Sequence, residues 1–178
     1  MNSIDKNQPE SNKKDLRGDE AAQRIKELAT EAETCFFLSG IKTGARPDAR
    51  PMAVLQVDEH GNFWFLSAND SRKNADITKD PNVELLMQGS KHAGFLSVYG
   101  QATISTDRKK IKELWHPLAK VWFTGGEEDP RITVIKVEPT KSHYWDNKHG
   151  EAIAFVKMVA GALTGQTLDD SEEGRLIV

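Results

Sequence analysis

The sequence predicts a mainly β domain, a small closed barrel of antiparallel strands with α-helices on its flanks. Three observations predict it. Short apolar, β-prone runs recur along the chain, turn-forming residues separate them at hairpin spacing, and the helical segments are too few to follow every strand of a parallel sheet. The length of 178 residues suits one folded domain. With 38% hydrophobic and 29% charged residues, the composition is that of a folded chain rather than a disordered one.

Residues 1–18 are rich in Asn, Lys, Ser and Asp, and their few apolar side chains cannot offset the entropy of ordering. A mobile tail is expected there. From Asp19 the pattern changes: Ile25, Leu28, Ala29 and Ala32 share one helical face, which predicts an amphipathic helix ending near Glu33. Cys35 to Ile41 and Pro51 to Val57 read as two strands, with Gly and Pro punctuation in Lys42 to Asp48 between them. The five residues Asp58 to Asn62 are a hairpin turn leading into Phe63-Trp64-Phe65-Leu66, so this strand should pair antiparallel with the Pro51 to Val57 run.

Ser71 is a helix cap, and Asp80-Pro81 stops the helix because the residue before a proline is pushed out of helical geometry. Val83 to Gln88 and Phe95 to Ile104 alternate as strands do, with Gly100 a candidate bulge in the second. Asp107 caps a helix carrying Ile111, Leu114 and Leu118, which Pro117 should break. Gly125 to Pro130 is a loop, and Arg131 to Tyr144, β-branched at its start, is a long strand despite Pro139. A helix is expected over Ala152 to Leu163, so that the barrel domain occupies 19–165 and a polar tail 166–178.

Composition narrows the function. A formal net charge of -3 provides no basic field for a nucleic-acid backbone. The single Cys35 cannot form an intrachain disulfide and, beside Phe36, Phe37 and Leu38, reads as a buried thiol in a reducing compartment. No apolar signal core opens the chain, Asp5, Glu10 and Asp15 argue against an organelle-targeting peptide, and the apolar stretch 152–163 is too short to span a bilayer and carries Lys157. A cytoplasmic protein with no membrane span is expected. His60, His92, His116, His143 and His149 lack the paired spacing of a metal site, so no metal is expected.

One constellation carries chemistry. Ser71-Arg72-Lys73 opens a helix, where free N–H groups and a partial positive charge are joined by a hydroxyl, a guanidinium fork and an ammonium. That set suits a phosphate monoester. Two basic residues after a serine also describe an ordinary solvated helix start, so the phosphate reading needs a further cation. Arg50, at the mouth of the strand that begins Arg50-Pro51-Met52-Ala53, supplies one.

These residues resemble a known family. Arg50-Pro51-Met52-Ala53, Phe63-Trp64-Phe65-Leu66-Ser67, the run from Ser71 through Asp80-Pro81 to Val83, and Tyr144-Trp145-Asp146 are similar to the pyridoxamine phosphate oxidase-like, flavin-binding split barrels. Trp122-Phe123-Thr124-Gly125-Gly126 followed by Asp129-Pro130 resembles the bacterial general stress protein branch. The resemblance implies a six-stranded antiparallel split barrel that forms a homodimer and binds flavin mononucleotide (FMN) in clefts between subunits. It implies that Arg50, Ser71, Arg72 and Lys73 hold the phosphate. Pro51, Met52, Ala53, Phe65, Leu66 and Ser67 would line the ribityl chain and the ring, and Trp145 would come from the partner, with Trp122 and Phe123 as weaker candidates for its wall.

The match has a gap. True pyridoxamine phosphate oxidases bind substrate through an arginine-containing segment after the Trp motif, whereas Trp145 here is followed by Asp146-Asn147-Lys148. Vitamin B6 oxidation is therefore not implied, and no catalytic residue is assigned. The expectation is an FMN-dependent oxidoreductase with a small-molecule redox partner. The alternatives are a non-catalytic flavin-storage or stress protein and, more weakly, a haem-binding split barrel.

Overall fold

The structure, a computed structural model, describes residues 12–42, 44, 46–89, 94–147, 159 and 170–178. In chain order the elements are β1 (Leu16–Arg17), α1 (Asp19–Ala32), β2 (Thr34–Ser39), β3 (Asp48–Ala53), β4 (Gln56–Val57), β5 (Phe63–Ala68), α2 (Arg72–Lys79), β6 (Asn82–Gln88), β7 (Phe95–Ser105), α3 (Arg108–Leu114), β8 (Ile132–Asn147) and β9 (Ser171–Ile177). The helix expected over Ala152 to Leu163 lies outside the described residues, save Val159. So do His92, His149 and residues 1–11 of the expected tail.

Six strands of the sheet run antiparallel in the order β3-β2-β6-β7-β8-β5. No ladder joins β3 to β4 or β5 among the described residues, so the expected closed barrel is corrected to an open one, a split barrel. The sequence offers a cause at the open side. Pro51 has no N–H to donate and so suits an edge strand, and among the described residues β3 pairs with β2 alone.

The run 51–57 is likewise not one strand. After Ala53 the chain changes neighbours: Val54 N–H donates to Glu33 O, Leu55 N–H donates to Trp64 O, and only Gln56 and Val57 pair with β5. The expected hairpin thus survives as a two-residue ladder, and Arg50 stands opposite Phe37 on β2 rather than beside β5.

Burial follows the alternation. Cys35, Phe37, Phe63, Phe65, Val83, Leu85, Leu96 and Val98 point into one core, which α1 covers with Ile25, Leu28 and Ala29. Burial there pushes the Cys35 thiol up to about 12. A second core lies across the sheet, where Ile111 and Leu114 of α3 meet Ile132 and Val134. The start of β8 is buried on both faces, which is why its sequence there is continuously apolar rather than alternating. The Gly100 bulge is present as a register shift between Tyr99 and Gly100.

Parts of both expected tails, Leu16–Arg17 and Ser171–Ile177, are strands. Leu16–Arg17 pairs in parallel with β9, and β9 pairs antiparallel with the second half of β8. These polar segments gain order from the ladder itself and from two apolar anchors, Leu176, which is 1% exposed, and Leu16, which packs against the core. At Gly174 the carbonyl of Lys14 comes so close that no side chain fits.

Candidate functional site

Helix α2 begins as its sequence dictates. Ser71 sits in extended geometry, and its Oγ accepts from Asn74 N–H at 3.3 Å, while Asp80 ends the helix before Pro81. The cap is welded to the barrel: Ser67 Oγ donates to Asn74 Oδ1 at 2.8 Å, Asn74 Nδ2 to Thr133 Oγ1 at 2.8 Å, and Thr133 Oγ1 to the Ser67 carbonyl at 3.0 Å. Ser67, Asn74 and Thr133 are all buried, so the first turn of α2 is fixed against β5 and β8.

On that base a cationic notch forms between α2 and the edge strand β3. Alternation along β3 puts Asp48, Arg50 and Met52 on one face, the face of buried Phe37 and Ser39 on β2. Arg50 Nη2 lies 2.8 Å from Asp48 Oδ2 and 3.5 Å from Asp76 Oδ2, and also donates to the Asp48 carbonyl at 3.3 Å. Arg72 Nε lies 3.4 Å from the same Asp48 oxygen. Ser39 Oγ donates to Asp76 Oδ2 at 2.8 Å. Lys73 is half-buried beside them, and its ammonium is held below its usual range first by loss of solvent and then by the charge of Arg50.

Arg50, Ser71, Arg72 and Lys73 are therefore brought together. The other Nη of Arg50 is buried with no hydrogen-bond partner. A buried guanidinium N–H without an acceptor is costly, and an anion entering the notch would satisfy it. Arg72 and Lys73 add first-turn N–H groups with no intrahelical acceptor. The donor set fits a phosphate.

The remaining expected residues divide. Met52 packs against the core, whereas Pro51 and Ala53 are exposed on the opposite face of β3. Phe65 is fully buried and Ser67 nearly so, while Leu66 packs on the second core. Phe65 therefore presents no ring surface to a ligand, and any contact it makes is through its backbone. Phe123, at 5% exposure, packs into the second core, while Trp122 beside it is 70% exposed.

Trp145 is 42% exposed, opposite Phe95 on β7 and Glu173 on β9, with its ring centroid 4.3 Å from that of His143. It lies on β8, four ladders from β3 along the sheet. Phe36, Leu86 and Phe95 are exposed with it, and a groove of about 410 Å³ runs along Phe36, Pro51, Leu86 and Phe95.

Sequence reasoning missed Asp48, Asp76, Ser39, Asn74 and Thr133. The period-two spacing of Asp48 and Arg50 and the three-residue step from Ser71 to Asn74 were available signals. Asp76, Ser39 and Thr133 carry none. Among the described residues no group of three His, Cys, Asp or Glu is arranged to hold a metal ion, and no helix is long and apolar enough to cross a membrane.

The fold and the notch define a split-barrel protein with a cationic pocket at its open edge. A sequence profile described as pyridoxamine 5′-phosphate oxidase-like matches residues 20–169, and the chain belongs to that family. Among solved structures, the fold is similar to that of a Jannaschia sp. CCS1 protein assigned as general stress protein 26, with a TM-score of 0.70 and 21% identity over 88% of this chain and 97% of that one. General stress protein 26 of Bacillus anthracis str. Sterne matches with a TM-score of 0.60 and 24% identity, over 69% and 92%. A general stress FMN/FAD binding protein from Xanthomonas citri matches with a TM-score of 0.55 and 24% identity, over 67% and 82%. Protein bli-3 of Neurospora crassa is 28% identical in a 127-residue alignment that covers 66% of this chain and 61% of that protein's length.

Proposed function

We propose that the protein binds FMN and acts as a flavin-dependent oxidoreductase on a small-molecule partner. The observation that carries this reading is the grouping of Arg50, Arg72 and Lys73 at the start of α2, where one buried guanidinium nitrogen of Arg50 lacks an acceptor. Arg50 supplies a fork, Lys73 a point charge, and the fixed first turn of α2 its N–H groups, so a terminal phosphate is bound without rearranging the helix. The Xanthomonas citri protein, which is named for FMN and FAD binding, supports the choice of ligand.

When bound, the flavin ring supplies the hydride or electron transfer. The chain binds and orients it. Among the described residues β3 pairs along one edge only, so backbone groups at Pro51 to Ala53 can meet the polar rim of the ring, with Leu66 and Ser67 contributing through β5. A homodimer with flavin in the clefts between subunits is supported by the exposed apolar face of Phe36, Leu86, Phe95 and Trp145. Trp145 and Arg50, four ladders apart in one chain, would then serve one ligand from two copies. A cytoplasmic location fits the single buried Cys35.

The test is direct. Purified protein is expected to show a flavin spectrum, and the released chromophore the mass of FMN. The double variant Arg72→Ala, Lys73→Ala should weaken FMN binding by about ten- to a hundredfold and leave riboflavin, which has no phosphate, nearly unaffected. Equal losses for both ligands reject the phosphate site. Steady-state reduction and reoxidation of the bound flavin separates an oxidoreductase from a storage protein.

A further inference from the structure

We infer that Asp48 is a built-in competitor for the phosphate: its carboxylate occupies the donors of Arg50 and Arg72 and thereby sets how tightly a phosphorylated flavin is held. This rests on the phosphate-binding reading above and concerns a residue that reading does not use.

One oxygen, Asp48 Oδ2, reaches both guanidinium groups, 2.8 Å from Arg50 Nη2 and 3.4 Å from Arg72 Nε. A phosphate oxygen bridging these arginines would take the same two donors, so carboxylate and phosphate exclude each other there. Asp76 is different. It meets Arg50 alone, at 3.5 Å, and its Oδ2 is already engaged by Ser39 Oγ. Asp76 thus holds Arg50 alone, whereas Asp48 bridges the two arginines.

The bridge is built to open at Arg72. That side chain is 81% exposed and Asp48 is 44% exposed, so their ion pair is solvated and contributes little. Arg50 is 21% exposed and keeps the Asp48 carbonyl as an acceptor when the carboxylate leaves. Charge points the same way. Three cations face two carboxylates, which leaves one net positive charge for a phosphate monoester carrying nearly two negative ones. Neutralising Asp48 would raise the notch to two positive charges and match the ligand.

The experiment is flavin fluorescence quenching on the full-length protein, wild type against Asp48→Asn, with FMN and riboflavin as probes and far-ultraviolet circular dichroism to check folding. The FMN dissociation constant is expected to fall about three- to tenfold while that of riboflavin stays constant. Should the Asn variant fold poorly, Asp48→Ser carries the same expectation. An FMN constant that rises or does not change, in a wild type that prefers FMN to riboflavin, overturns the inference and marks Asp48 as a scaffold for Arg50. A wild type that binds both flavins alike, or neither, overturns the phosphate reading itself and this inference with it.

Discussion

Phe37 and Phe65 meet edge to face inside the barrel, their ring centroids 5.4 Å apart and their planes at 89°. Phe37 belongs to β2, near one end of the hydrogen-bonded order, and Phe65 to β5, at the other. What the ladders leave open, packing closes: the two sides of the split are joined through aromatic side chains.

Phe65→Ala should therefore cost about 3–5 kcal/mol of stability, the usual loss for a fully buried phenylalanine. Urea denaturation of the purified protein measures it. A loss under about 1 kcal/mol would mean that the two sides are held by something other than this contact.

Gly100→Ala tests the bulge. An added Cβ would stand 2.5 Å from the Glu138 carbonyl oxygen and 2.9 Å from Val137 Cγ1. The first of these is backbone in the neighbouring strand and cannot swing aside, so β7 and β8 must part locally. We expect a loss of about 1–3 kcal/mol in the same measurement. An unchanged midpoint would show that the bulge tolerates a side chain.

The contact between the two ends of the chain should be acid-sensitive. Asp15 Oδ1 accepts from Arg175 N–H at 2.8 Å, and Oδ2 accepts from Nε at 3.0 Å and Nη2 at 2.6 Å. These bonds hold the Asp15 carboxyl down at about 2, against an ordinary 3.8. A depressed carboxylate stabilises the folded arrangement fully above its unfolded value and loses that contribution as pH falls through the folded one. Hydrogen-exchange protection at Lys14 and Glu173, whose N–H groups bond Glu173 O and Asn12 O, should accordingly decline between pH 4 and 2, ahead of the core amides. Asp15→Asn should lower that protection at neutral pH and abolish its pH dependence.

What the sequence disclosed was local. The Ser71 cap, the stop at Asp80-Pro81, the Gly100 bulge and the break before Pro117 are each decided by residues within a few positions, and each is present. Pairing between distant segments leaves no such mark. Nothing in Leu16–Arg17 announces Leu176–Ile177 as its neighbour, and the Pro51 to Val57 run gave no sign that it changes partners at Val54. The notch shows the same division. Its cations stood out by type, whereas Asp48 and Asp76, which fix the local charge balance, are ordinary polar residues until the fold sets them beside Arg50. Trp122 and Phe123 are adjacent aromatics, and only the packing of α3 decides which one turns inward.

β8 runs unbroken for 16 residues and changes company along one edge, pairing with β5 up to Val137 and with β9 from Ser142, while β7 follows its other edge from Val134 to Trp145. It works as a spine. A fluctuation that peels away β9 takes one of the two neighbouring strands from Trp145 and Tyr144 but leaves Thr133, and with it the anchor of α2, in place. Trp145 and the anchor of α2 thus lie toward opposite ends of one strand, and loss of the C-terminal ladder at one need not disturb the other.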